Sequence, residues 1–147
     1  MQLTHYTDYS LRVLIFLSLQ DDEQRITITD IAEHFSIPRN HLVKVVHKLG
    51  VLKYIHTTRG KNGGIRIAKP ASQIVIGSVV RQMEANLDIV NCQMPSPCPI
   101  QSGCKLKSIL NLATQAFLDV LDQYTIADLN QKPEQLKQLL QWNIVHS

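Results

Sequence analysis

Apolar positions recur at helical spacing through most of this 147-residue chain, and one short stretch alternates instead. Thr7 is placed to cap a first helix that carries Asp8 in its first turn, where a carboxylate suits the positive end of the helix dipole. That helix runs to about Leu19. Leu11, Leu14, Ile15 and Ser18 share one face, widened by Val13, Phe16 and Leu17, so the helix should be buried on most sides. After a polar turn from Asp21 to Arg25, Thr27 or Thr29 opens a short helix, Ile28 to Phe35, with Ile28, Ile31, Ala32 and Phe35 inward. Ser36, Ile37 and Pro38 interrupt the pattern. A further helix from about Arg39 to Leu49 then buries Leu42, Val45, Val46 and Leu49 at the i, i+3, i+4, i+7 spacing.

The alternating stretch follows directly. Val51 to His56 reads as a strand, Thr57 to Gly64 as a glycine-rich basic turn, and Ile65 to Ala68 as a returning strand that Lys69-Pro70 ends. Helical spacing resumes in a short helix, Ile76 to Glu84, with Ile76, Val79, Val80 and Met83 inward. A long helix runs from Lys105 to about Tyr124, where Leu106, Leu110, Ala113, Phe117, Val120 and Tyr124 alternate at four and three. Such a stripe is a coiled-coil seam of roughly three heptads, and we expect it to pair two copies of the chain. Ile109, Leu112, Ala116 and Leu121 are left for the chain's own core. Thr125 opens a last short helix through Leu129, and the tail from Pro133 is expected to be weakly helical and mobile.

The elements predict a mainly α fold with a small β wing: a winged helix-turn-helix plus a long dimerisation helix. We divide it into a winged-helix domain (1–80), a connecting helix and cysteine loop (81–104), the long helix with a short terminal helix (105–130), and a tail (131–147).

Charge sharpens the picture. The net formal charge of +3 is mild, but Arg39 to Lys69 holds eight Lys or Arg and no Asp or Glu. Two short helices joined by a tight turn, the second with a basic, amide-bearing outer face, describe a module whose second helix can enter a DNA major groove. Asn pairs with adenine and Arg with guanine, whereas Lys mostly serves phosphates. Double-stranded DNA is therefore the expected partner, contacted by Arg39, Asn40, His41 and Lys44 on the helix and by Arg59, Lys61 and Asn62 on the wing. No paired acid and base, nucleophile motif or phosphate-binding loop points to an enzyme. The start of the chain carries no cleavable apolar stretch, and Leu11 to Leu19 is too short to span a bilayer, so we expect a cytoplasmic protein without a membrane partner.

One chemical feature remains. Cys92, Cys98 and Cys104 are the three cysteines of the chain, spaced by six and fenced by Pro95, Pro97, Pro99 and Gly103. Proline removes backbone donors and forces extended or turn geometry, so the segment should be a loop with its sulfurs turned towards one point. Thiolates gathered in this way bind zinc or an iron-sulfur cluster, each normally with four protein ligands. The fourth is absent from the loop. A structural zinc site and a redox or electron-transfer centre both fit these residues.

Five segments together resemble the Rrf-two family of winged-helix regulators, and within it the nitric-oxide-sensing repressors. They are TDYSLRVLIFL, IPRNHLVKVVHKLG, RGKNGGIRIAKP, IGSVVRQME, and the cysteine segment from Asn91 to Lys107. The resemblance covers about residues 1 to 130. It implies an iron-sulfur cluster on Cys92, Cys98 and Cys104, 4Fe-4S in preference to 2Fe-2S, with Asp8 of the partner subunit as fourth ligand. It further implies a homodimeric repressor on inverted-repeat DNA, released when nitric oxide nitrosylates the cluster. A sister branch that senses iron-sulfur or redox status is the alternative. That branch places a histidine three residues after the third cysteine, where this chain has Lys107.

Overall fold

The structure, a computed structural model, describes residues 1–146, with side chains described as far as residue 141. Helix α1 (His5–Ser18) is followed by α2 (Ile28–Phe35) and α3 (Arg39–Val51), then by the hairpin β1 (Ile55–Thr58) and β2 (Gly64–Ile67). Helix α4 (Ile76–Met83), the long α5 (Lys105–Leu121), the short α6 (Ile126–Leu129) and α7 (Pro133–His146) complete the chain. The expected class, mainly helical with a two-stranded wing, is the one observed.

Local chemistry sets most boundaries. Thr27 caps α2 in a reciprocal capping box, its side chain accepting from the Asp30 N–H while Asp30 accepts from the Thr27 N–H. Both α2 and α3 end in Schellman motifs. At α2 the left-handed residue is Ser36 (φ 54°), with Ile37 N–H donating to the Ala32 carbonyl and Ser36 N–H to that of Glu33. At α3 it is Lys53 (φ 65°), with Tyr54 N–H donating to Leu49 and Lys53 N–H to Gly50.

Three expectations need correction here. Helix α1 begins three residues earlier than expected, because Thr4 and not Thr7 accepts at its N-terminus; Thr7 is wholly buried. Its buried face is Thr7, Ser10, Val13, Leu14, Phe16 and Leu17, whereas Leu11, Ile15 and Ser18 lie at the edge. The first strand starts at Ile55 and not Val51, since α3 continues through Val51 and its Schellman turn occupies the next residues. The tail forms helix α7, which packs on α2 with Leu140 against the core; Ser147 lies outside the described residues.

A single core joins these pieces. Leu14, Ile31, Leu42, Val45 and Leu49 pack with Ile76, Val79 and Val80 of α4 and with Leu118 and Ile126 from the far end of the chain. The return of the chain is pinned by main-chain bonds, Ile76 N–H to the Tyr124 carbonyl and Ile126 N–H to that of Ile74, both 2.9 Å. Helix α5 docks on α4 through a two-pronged ion pair, Arg81 to Asp122 at 2.6 and 2.7 Å. Hydrogen bonding to Asp122 holds the Arg81 guanidinium above its usual range, and Arg81 holds the Asp122 carboxyl below its own. A Cβ on Gly77 would meet the Asp122 carboxylate, so glycine allows the close approach.

Among the described residues no helix is long and apolar enough to cross a membrane.

Candidate nucleic-acid interface and cysteine loop

Helix α3 presents its stripe of Leu42, Val45, Val46 and Leu49 inward, which leaves Arg39, Asn40, His41 and Lys44 exposed on the opposite side. Two of these are oriented by neighbours. Arg39 donates from Nε to the Thr29 hydroxyl at 3.3 Å, and the His41 ring lies over Tyr9 of α1, with centroids 6.2 Å apart and planes at 21°. Tyr6, one turn earlier on α1, donates its hydroxyl to the Lys44 carbonyl at 3.3 Å. The recognition surface expected from the sequence is thus one continuous exposed face, and it is braced by α1.

The hairpin pairs Ile55 with Ile67, His56 with Arg66, Thr57 with Ile65 and Thr58 with Gly64. Arg59, Lys61 and Asn62 all lie exposed in the turn between the strands. Two glycines make that turn possible. Gly60 takes φ 101°, and a Cβ on Gly63 would sit 2.1 Å from the Thr58 carbonyl oxygen. The sequence reading missed Arg25, which it left in a polar turn. Its Nε donates to the Gly63 carbonyl at 2.5 Å, and the adjacent Ile26 carbonyl accepts from Ile65 N–H at 2.7 Å, so the chain before α2 clamps the wing. A basic residue before the short β-branched run Ile26 to Thr29, most of which belongs to the start of α2, is too weak a signal to have shown this. Lys69, counted in the basic stretch, folds back over the Tyr54 ring at 4.8 Å.

The cysteine loop is organised by its own backbone. Asn91 Oδ1 accepts from the N–H groups of Gln93 and Met94, Cys98 N–H donates to the Cys92 carbonyl at 2.9 Å, and Gln101 N–H donates to that of Cys98. Cys104 stands at the N-terminus of α5. All three cysteines are free and partly buried. Among the described residues no three His, Cys, Asp or Glu side chains are grouped closely enough to hold a metal ion. The loop's path follows these turns. In kind, three free thiols suit the soft iron of an iron-sulfur cluster, and they fall one short of its usual four ligands.

Within the protomer Asp8 is engaged by another side chain. It is 40% exposed and held by Arg12 one turn on, Nε to Oδ1 at 3.0 Å and the terminal nitrogen to Oδ2 at 2.9 Å. The start of α1 does reach the entrance of the cysteine loop, through a residue the sequence reading passed over. Glu84, which ends α4, accepts from the Thr4 N–H at 2.8 Å and the Thr4 hydroxyl at 3.0 Å. Burial pushes the Glu84 carboxyl up, but hydrogen bonds from Thr7 and Thr4 outweigh it and leave the group below its usual range.

On α5 the exposed apolar positions are Leu106, Ile109, Leu112, Ala113, Ala116 and Val120, with Tyr124 exposed just beyond its end, whereas Leu110, Phe117 and Leu121 are half-buried and Leu118 is buried. Ile109, Leu112 and Ala116 therefore do not supply the chain's own core as expected. Phe117, placed in the seam by the sequence reading, packs on that core instead. The outward set 106, 109, 113, 116 and 120 keeps the alternating three and four spacing of a seam.

Comparison with known proteins agrees with this architecture. The chain is 51% identical over 142 residues to the HTH-type transcriptional regulator NsrR of Geobacillus kaustophilus, covering 95% of this chain and 97% of that protein. It is 46% identical to the NsrR of Bacillus licheniformis over 95% of this chain and 99% of the relative. Among solved structures, the oxidized form of Staphylococcus aureus CymR superposes with a TM-score of 0.70 at 25% identity, over 89% of this chain and 97% of CymR. T. potens IscR shares the fold with a TM-score of 0.72 at 20% identity, over 92% and 90% of the two chains. Residues 3–132 match the family model Rrf2, described as iron-dependent transcriptional regulator, and the chain belongs to this Rrf2 family of winged-helix transcriptional regulators.

Proposed function

We propose that the protein is a nitric-oxide-sensitive transcriptional repressor that binds inverted-repeat duplex DNA as a homodimer. Cys92, Cys98 and Cys104 hold an iron-sulfur cluster, 4Fe-4S in preference to 2Fe-2S, with Asp8 of the partner subunit as fourth ligand. When bound, such a cluster supplies iron to which nitric oxide can coordinate. Nearly full-length similarity to regulators named NsrR supports this reading, as does the donor set of the loop.

The observation that carries it is the position of α1. Tyr6 and Tyr9 on either side of Asp8 touch α3, and Thr4 at the same end is held by Glu84, which ends α4 where the chain sets out towards the cysteine loop. A change in how the loop engages the start of α1 is thus transmitted to the DNA-reading helix by direct contact. Two recognition helices read half-sites roughly 34 Å apart only when their separation is held. A coupling of about 1 to 3 kcal/mol between the two sites changes DNA affinity by about 5- to 150-fold. The exposed stripe of α5 is the surface through which two copies pair.

The test is an anaerobic titration of the as-isolated protein with nitric oxide, following visible absorbance and affinity for an inverted-repeat duplex together. Both should fall in step. A colourless protein that carries one zinc per chain and binds DNA regardless of nitric oxide sinks the reading.

A further inference from the structure

Beside the recognition helix lies a cleft of about 380 Å³ between the second half of α3 and β1, lined by His47, Lys53 and His56 together with Val46, Ile55 and Thr57. None of its lining residues is acidic. The three basic side chains are exposed, and among the described residues none of them makes a side-chain hydrogen bond or ion pair. Arg66 stands opposite His56 in the sheet register and adds a further positive group to this flank.

The backbone supplies a second observation. Lys53 occupies the left-handed position of the Schellman turn that ends α3, with φ 65°. Glycine is the residue that fits there without strain, so a lysine sits at a position where its backbone is disfavoured. Residues held in this conformation cluster at functional sites. Here the side chain enters a cleft otherwise served by two imidazoles.

We propose that this cleft seats a phosphodiester of duplex DNA, with Lys53 providing the fixed charge and His47 and His56 donating hydrogen bonds from their rings. The proposal rests on α3 being the helix that enters the major groove. His47 lies three residues beyond Lys44, and a helix in the groove runs beside the sugar-phosphate backbone that its far half and the adjoining strand would meet. The seat is indifferent to base sequence and adds affinity, not specificity.

The experiment measures binding of the full chain to random-sequence duplex DNA across a range of salt concentrations, with thermal melts of each variant. Lys53→Gly removes the charge while relieving the backbone, so its melting temperature should equal or exceed that of wild type. Its affinity should drop several-fold, and its salt slope should flatten by about one unit. Lys53→Arg should retain most of the affinity. The paired change His47→Gln with His56→Gln should weaken binding with a smaller effect on the slope. If Lys53→Gly binds like wild type while Lys44→Ala is weakened, the cleft is idle and the recognition-helix reading survives. If wild type itself does not bind duplex DNA, both readings fall.

Discussion

Glu84 and Thr4 lie eighty positions apart in sequence, yet the Glu84 carboxylate accepts from both the backbone N–H and the hydroxyl of Thr4, at 2.8 and 3.0 Å. One side chain therefore closes the free end of α1 and ties it to the segment that leads into the cysteine loop. Replacing Glu84 by Gln keeps the shape but removes the charge that strengthens these bonds. Complete loss of a helix cap costs about 1 kcal/mol, or about 3 °C in melting temperature for a chain of this size, and Glu84→Gln, which keeps an acceptor, should lose part of that. The pH dependence has a defined sign. The folded carboxyl lies below its ordinary value of 4.5, so its stabilisation is fully present above that value and is lost as pH falls through the folded value. Melts of wild type and Glu84→Gln should differ at pH 7 and converge in acid; an equal gap at both ends would rule this linkage out.

The exposed and half-buried faces of α5 make opposite predictions. Ile109 is 59% exposed in the protomer, so Ile109→Glu should leave the protomer folded while it prevents self-association, seen as a monomer in sedimentation. Phe117 packs against the core, and Phe117→Ala should cost about 3 kcal/mol or somewhat less given its partial exposure. A dimer that persists in Ile109→Glu would place the pairing surface elsewhere.

These faces also mark where the sequence could and could not be read. The stripe Leu42, Val45, Val46 and Leu49 on α3 was legible because its other face is polar, so only one phase buries apolar surface. Helix α5 has apolar residues on two adjoining faces, offset by a single position, and periodicity alone does not say which belongs to the protomer. The end of α3 was blurred for another reason. Its left-handed position carries Lys53, where a reader looks for glycine, whereas the end of α2 was legible from Ser36, Ile37 and Pro38 breaking the apolar pattern. The true cap of α1 was hidden because half of it comes from Glu84. At the cysteine loop the three thiols were plain from their spacing, but the turns that fix the loop, Asn91 Oδ1 to the N–H groups of Gln93 and Met94 and Cys98 N–H to the Cys92 carbonyl, leave no mark in that spacing.

Gly77 tests how closely α4 and α5 must approach. A methyl group there would lie 1.9 Å from Asp122 Oδ1, forcing the carboxylate away from Arg81. Gly77→Ala should lower stability by about 1 to 3 kcal/mol through this overpacking. In Asp122→Ala the obstructing group is gone, and adding Gly77→Ala to it should cost much less than in wild type. A double-mutant cycle by chemical denaturation reads the difference; strict additivity would mean that the clash is relieved by some other movement.

Gly63 sets the shape of the wing by a harder constraint, because the obstructing atoms are backbone. A Cβ would lie 2.1 Å from the Thr58 carbonyl oxygen and 2.8 Å from the Arg59 carbonyl carbon. Neither can swing aside without opening the hairpin, and the Gly63 carbonyl would also leave the Arg25 guanidinium that fixes it. The core beneath is built from other residues, so Gly63→Ala should keep the helical circular-dichroism signal and most of the melting temperature. DNA affinity should fall by about tenfold or more, equivalent to about 1.4 kcal/mol of misplaced wing contacts. Unchanged affinity would show that Arg59, Lys61 and Asn62 are not held against DNA by this turn.

On α3 the exposed Lys44 and Asn40, four positions apart, carry opposite expectations for phosphate and base contacts. Lys44 carries a flexible point charge, and its main-chain carbonyl is already engaged by Tyr6, so its ammonium is the group left for DNA. Lys44→Ala should weaken binding to every sequence and flatten the salt slope by about one unit. Asn40 has no charge to lose, and its amide can pair with the major-groove edge of adenine. Asn40→Ala should leave the salt slope intact and relax preference at a single base position, at a cost of about 1 to 3 kcal/mol against the preferred base. Selection of bound sequences from a randomised duplex pool, repeated for both variants, distinguishes the two effects. Sequence preference lost in Lys44→Ala but kept in Asn40→Ala would reverse the assignment and require α3 to lie in the groove at a different rotation.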